Sequence, residues 1–217
     1  MNKKITVEQA VSKIKSGMTI MAGGFLANGS AKKILDALAQ SDVKDITLIT
    51  NDTSFPDRGV GRLLERKQLK KVITSHIGTN ELTQQQMNNG EIEVEFVPQG
   101  TLAERIRAGG FGLGGVLTPT GLGTVIAQGK QVINVDGKDF LLEKPLRADL
   151  ALIGASRGDE SGNLVYCGTS QNFNPVMAAA ADLVIAEVDE IVPVGAIRPE
   201  QVHTPAIMID YIVSSNN

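Results

Sequence analysis

Residues 17–29 read Gly-Met-Thr-Ile-Met-Ala-Gly-Gly-Phe-Leu-Ala-Asn-Gly, and this run constrains the fold more than any other part of the chain. Residues 18–22 suit a short buried strand, two adjacent glycines follow, and Gly29 closes the turn behind one large aromatic, Phe25. Ser30 stands where a side chain caps a helix, and Ile34, Leu35 and Leu38 recur behind it at helical spacing. Strand, glycine turn and helix in that order predict a βα unit with an anion site at its turn. Backbone N–H groups converge there, and the helix dipole adds about half a positive charge. Lys32 and Lys33 fall in the first helical turn, where the dipole disfavours cations, so a negative group nearby would offset them. The plainer alternative is a glycine turn with two solvated lysines.

The pattern continues along the chain. Thr6-Val-Glu-Gln9 is a capping box opening a helix with apolar face Val7, Ala10, Val11 and Ile14, and Gly17 is expected to end it. Strands are expected at 46–50, 72–75 and 91–97, the last with one wetter face, and helices at 61–68 and 101–108. Strands alternating with helices predict parallel βαβ units. Residues 132–135 and 140–142 around Asp136-Gly137 predict a β-hairpin. Strands at 151–155 and 164–167 flank a polar turn at 159–163, and a helix at 175–181 precedes a last strand at 183–188. No internal repeat or low-complexity linker is evident. The expectation is one domain over residues 1–217: a Rossmann-like, mostly parallel open α/β sheet with an inserted β-hairpin region.

Composition narrows the function. A formal charge of −3 with no basic run argues against nucleic acid. No apolar segment approaches the roughly 20 residues that span a bilayer, and Met1-Asn-Lys-Lys-Ile5 is followed by no signal-like apolar stretch. Cys167 is the single cysteine, which excludes an intrachain disulfide and a cysteine-built metal site and suits a reducing, cytoplasmic setting. With no tryptophan, the core must be aliphatic.

The motifs carry a resemblance. Gly17-x-x-x-x-x-Gly23-Gly24-Phe25-x-x-x-Gly29 resembles the glycine motif of the A-type (alpha) chain of the 3-oxoacid CoA-transferase family. Asn51-Asp52-Thr53, Ser75-His76-Ile77-Gly78-Thr79-Asn80, Pro98-Gln99-Gly100-Thr101-Leu102, Arg105-Ile106-Arg107-Ala108-Gly109-Gly110, Leu117-Thr118-Pro119-Thr120-Gly121 and Asn172-Phe173-Asn174-Pro175 follow in the family's order. One departure is Ala31, where the family usually has proline; both suit a helix start. The resemblance implies a fold shared with sugar-phosphate isomerases and one half of a heteromeric acetate/acetoacetate (butyrate–acetoacetate) CoA-transferase, with a succinyl-CoA:3-oxoacid enzyme as the variant. Coenzyme A is then a substrate, and no cofactor or metal is implied. Gly23, Gly24, Phe25, Leu26, Ala27, Asn28 and Gly29 would cradle CoA, and Gln99 would contact the acyl substrate. The family's nucleophilic glutamate, which forms an enzyme–CoA thioester, belongs to a B-type partner in the two-subunit members, giving a heterodimer or heterotetramer.

The residues themselves bear on these roles. Gln99 follows a strand and so lies at the sheet's carboxyl edge, where open α/β folds place ligands; a turn glutamine bonding the backbone is the alternative. Glu160 sits in a polar turn beside Asp159 without apolar surroundings, and reads as solvated. Residues 109–115, rich in glycine, follow a helix where a dinucleotide fingerprint needs a strand, and read as a flexible loop over the cleft. His76 could face the cleft, but it and His203 read first as hydrogen-bonded structural residues. No Gly-x-Ser-x-Gly elbow supports a hydrolase. Two other classes remain: a sugar-phosphate isomerase-type domain, with Asp52, Asp57 and Glu104 as loose acid/base candidates, and an interaction protein docking through Phe25, Phe111 and Leu113.

Overall fold

The computed structural model describes residues 3–216. Helix α1 (Val7–Val11) is opened by the expected capping box, with Thr6 and Gln9 bonded reciprocally, but it stops well before Gly17. Strand β1 (Thr19–Ala22), helix α2 (Lys32–Ala39), strand β2 (Ile46–Thr50), helix α3 (Gly61–Glu65) and strand β3 (Leu69–Thr74) then alternate. Helix α3 is shorter than expected because Lys67 turns left-handed (φ +52°). Gln68 then reaches back, its Nε2 donating to the carbonyls of Leu38 in the last turn of α2 and of Ser41 and Val43 just beyond it.

Helix α4 (Glu81–Asn88) is not expected from the sequence. Its residues are mostly polar, so periodicity does not reveal it; the Asn80 carboxamide caps it at the N–H groups of Leu82 and Thr83. Strand β4 (Glu93–Phe96) and helix α5 (Gln99–Gly110) follow. A small antiparallel sheet comes next, with β5 (Val116–Thr118), β6 (Val132–Val135) and β7 (Lys138–Glu143) in the order β5-β7-β6. Its hairpin turns at Asp136 and Gly137, both left-handed (φ +51° and +78°), as an Asp-Gly pair allows. Strand β8 (Ala148–Asp159) pairs antiparallel with β9 (Leu164–Val165); helix α6 (Asn174–Ala179), strand β10 (Ala181–Val192) and an unanticipated strand β11 (Tyr211–Ser214) complete the chain.

The large sheet has the order β11-β10-β8-β1-β2-β3-β4, parallel throughout, with β9 alone antiparallel at its side. Both faces are covered, which explains why its strands lack polar alternation. Ile20, Leu48 and Val72 point to one face, against Ile34, Leu35 and Leu38 of α2 and Leu63 and Leu64 of α3. Their neighbours Met21, Ile49 and Ile73 point to the other, against Leu102 and Ile106 of α5 and Met177 of α6. Edge strand β4 departs from the expected single wet face: Glu93 and Phe96 are exposed and Val94 and Glu95 half-buried, so both of its faces are partly wet. Every parallel strand releases its chain at one edge of the sheet, and the loops that follow gather there.

Candidate functional site

At that edge the glycine run forms a bridged turn. Phe25 and Asn28 exchange backbone hydrogen bonds of 3.0 and 2.9 Å, and Leu26 and Ala27 between them are both left-handed (φ +50° and +68°). Non-glycine residues at positive φ are uncommon, and two in succession require outside support. That support is visible. The Leu26 N–H donates to Asp52 Oδ2 (3.0 Å), and the Ser30 hydroxyl donates to the Ala27 carbonyl (2.9 Å). Asn172 Oδ1 accepts from the Gly24 N–H and its Nδ2 donates to the Asn28 carbonyl, while Asn174 Nδ2 donates to the Gly29 carbonyl. A Cβ at Gly23 would overlap the Asn174 side chain, and one at Gly29 the Ser170 backbone. The Asn172-Phe-Asn-Pro motif is thus a clamp behind the glycine loop.

A second short bridge follows β2, where Phe55 and Arg58 pair across Pro56 and Asp57 and the Arg58 N–H donates to the Phe55 carbonyl (3.3 Å). The two turns touch, Gly59 (φ +55°) lying against Ala27.

Two expectations at the helix are corrected. Ser30 does not cap α2; the cap position is Ala31, which makes no side-chain bond. Nor is the helix N-terminus a free anion site. Glu187 of β10 occupies it, its carboxylate accepting from the N–H groups of Lys33 (3.2 Å) and Ile34 (3.0 Å). Burial pushes this carboxyl above the usual range, and the two N–H bonds pull against that rise. The negative group near Lys33 is therefore part of the protein. A charged residue inside the otherwise apolar stretch 183–188 was the signal for it.

The ligand-sized opening lies beyond the turn, over the ends of β2, β3 and β4. It encloses about 370 Å³. Phe25 and Leu26 form one wall, Ser75, His76 and Thr79 another, and Asn51, Asp52 and Gln99 meet at its floor. Gln99 stands at the first turn of α5, exposed, at the edge where the sequence predicts it. It does not bond the backbone: its Nε2 donates to Asn51 Oδ1 (2.8 Å). Asn51 Nδ2 in turn donates to Asp52 Oδ2 (2.7 Å). Nothing in the sequence marks Asn51 as a partner of Gln99, since the two meet only when β2 and β4 enter one sheet. A more polar hollow of about 430 Å³ lies behind the loop beside Glu187, where Ser156 and Ser170 bond each other and the Cys167 N–H.

His76 is a correction. It is exposed on the cleft, its ring lying against Gly78, and no hydrogen bond from the described residues holds that ring. His203 fits its structural reading: Nδ1 accepts from the Tyr166 N–H (3.0 Å), and the rings stack at 5.9 Å. The loose acid/base trio does not converge, because Asp57 pairs with Arg58 and Glu104 with Arg107 in solvent, leaving only Asp52 of the three in the cleft. Residues 109–115 are no free loop at their start: Gly109 and Gly110 end α5, packed on the Leu146 backbone and Ala179. Glu160 is exposed in its turn and does not line the cleft. Among the described residues, no three His, Cys, Asp or Glu side chains group to hold a metal, and no helix is long and apolar enough to cross a membrane.

A doubly covered parallel sheet with an amide-floored cleft at its carboxyl edge defines a Rossmann-like, open-sheet α/β chain. The family model described as Coenzyme A transferase matches residues 4–215, and the chain belongs to that family. It is 52% identical over 213 residues to the alpha subunit of the acetate CoA-transferase of Escherichia coli K12, covering 98% of this chain and 97% of that one. It is 51% identical to the acetoacetyl-CoA:acetate/butyrate CoA transferase alpha subunit of Clostridium acetobutylicum, with 98% of each covered. With the A-type subunit of the succinyl-CoA:3-ketoacid coenzyme A transferase of Helicobacter pylori it shares 46% identity, covering 98% of this chain and 92% of that one. The same fold is found in an E. coli O157:H7 acyl-CoA transferase solved as a thioester complex with CoA (TM-score 0.85, 22% identity, 98% of this chain and 47% of that one). Glutaconate coenzyme A-transferase of Acidaminococcus fermentans shares it too (TM-score 0.86, 19% identity, 98% and 75%).

Proposed function

We propose that this chain is the alpha subunit of a heteromeric, cytoplasmic CoA-transferase, folded as a single domain. It moves CoA between a short-chain acyl-CoA (acetyl-, butyryl- or acetoacetyl-CoA) and a free carboxylate such as acetate or acetoacetate. The observation that carries this reading is the Gln99–Asn51 amide pair on the floor of a cleft walled by Phe25 and Leu26. An amide N–H suits a carboxylate, and the apolar wall suits a short acyl chain. The cleft supplies orientation, which can be worth several kcal/mol of barrier.

On this reading the nucleophile is supplied by the partner chain. A glutamate on a B-type partner would attack the acyl-CoA, pass through an acyl anhydride and hold CoA as a thioester. The outward face of the Gly23–Gly29 turn, at Phe25, Leu26 and Asn28, is the part left to meet CoA, since its rear is clamped. Phe25, Phe111 and Leu113 are 46%, 58% and 53% exposed, and such large apolar groups fit a partner interface.

The test is reconstitution. The purified chain alone should not exchange CoA between acetyl-CoA and butyrate, and addition of a B-type chain should restore exchange and shift sedimentation to a larger species. Robust turnover by the single chain, abolished in Glu160→Gln, would overturn the two-subunit reading. Gln99→Ala in the heteromer should raise KM for butyrate about tenfold, the loss of one hydrogen bond to a charged group.

A further inference from the structure

Asp52 is 4% exposed, lies on the cleft floor, and takes no part in the transfer steps set out above. We propose that Asp52 is a positioning residue that fixes the orientation of the Gln99 amide, holding Nε2 on Asn51 so that its second N–H is available to a substrate carboxylate. This rests on the reading of Gln99 as the group that meets that carboxylate.

The direction of each hydrogen bond follows from the one before it. Backbone N–H groups fix the first link, because Ser54 N donates to Asp52 Oδ1 (2.7 Å) and Leu26 N to Oδ2 (3.0 Å), and neither donor can be reversed. Both carboxylate oxygens are therefore acceptors, and the third group against them, the Asn51 carboxamide at 2.7 Å, must turn its nitrogen toward Asp52. That leaves Asn51 Oδ1 facing Gln99. A carbonyl oxygen only accepts, so Gln99 must meet it with Nε2, as it does at 2.8 Å. One of the two Nε2 hydrogens is then engaged on Asn51, and the other is left, beside the unbonded Oε1, for a substrate. Any reversal along the chain would oppose donor to donor or oxygen to oxygen. A single carboxylate thereby sets both the left-handed Leu26 wall and the polarity of the floor.

A residue that merely held the turn would weaken every ligand alike; a polarity device changes discrimination. The readout is the ratio of the inhibition constant of butyramide, competing against butyrate, to the KM of butyrate in the assembled heteromer. Asp52→Asn removes the obligatory acceptor and frees both amides to invert. Asn51→Ala cuts the relay while leaving the Asp52 bonds to Leu26 and Ser54 in place, and so answers if Asp52→Asn does not assemble. Both variants should lower the ratio about tenfold, the scale of a hydrogen bond to a charged group. A ratio that stays within about twofold of wild type in an assembled variant overturns the proposal, whatever the loss in overall rate. Absence of butyrate turnover in the wild-type heteromer would instead refute the functional reading beneath it.

Discussion

The Glu187 carboxylate accepts the Ile34 N–H at 3.0 Å, so a side chain of β10 caps a helix that lies far from it in sequence. Helix caps are ordinarily local, supplied by the residue just before the first turn. Here Ala31 holds that position and has nothing to offer, and the cap is tertiary. The second oxygen takes Lys33 N, so both donors are satisfied by one buried acid.

Glu187→Ala should cost about 1–3 kcal/mol, since it leaves two N–H groups without an acceptor and removes a negative group from a helix start. Urea denaturation of the folded chain measures it, and an unchanged midpoint would mean that solvent replaces the cap. The pH dependence has a definite sign. Burial raises the native carboxyl above its unfolded value, so the native state holds its proton more tightly. The associated stability is complete below the ordinary glutamate range near pH ~4.3 and is lost as pH rises through the raised native value. Glu187→Gln should flatten that decline in stability; an identical pH profile would remove Glu187 as its source.

Ser30→Ala should behave as a loop lesion. Its hydroxyl bonds the Ala27 carbonyl, not the helix, so the expected loss is about 0.5–1.5 kcal/mol. Hydrogen exchange should quicken at the paired amides of Phe25 and Asn28. Faster exchange confined to the first turn of α2 would restore the capping role expected from sequence.

Gly24→Val should lower both stability and CoA affinity. Gly24 is buried at φ +129°, and a Cβ there would come within 3.1 Å of Ser30 Cβ, so the strain alone is worth about 1–3 kcal/mol. Thermal melting and calorimetric titration of the heteromer with CoA separate the effects. A folded complex with unaltered affinity would take this turn out of the CoA site.

Glu143→Ala should cost about 3–5 kcal/mol, the scale of breaking a buried ion pair from one side. Glu143, 1% exposed, faces Lys130 Nζ at 2.6 Å and Arg105 Nε at 3.9 Å. Arg105 also bonds Glu95 and the Lys144 carbonyl, so this cluster ties the small sheet to α5 and β4. Exchange should accelerate first in β7; uniform acceleration would show that the small sheet is not separately latched.

Much of this molecule is local chemistry and so legible in order along the chain. The glycine turn, the capping box at Thr6, the Asp136-Gly137 hairpin and the strands around residues 20, 48, 72 and 185 follow from residue type and spacing, which decide backbone conformation within a few residues. The position of Gln99 just after a strand likewise puts it at the sheet's carboxyl edge. Helix α4 escaped because its residues show no apolar stripe, and β11 because a short strand is apolar for many reasons. What the tertiary structure alone decided are the partnerships: Glu187 with α2, Asn172 and Asn174 with the glycine loop, and Asn51 with Gln99. Each joins groups brought together by strand order, and hydrogen bonding acts over about 3 Å of space however far apart its partners stand in sequence.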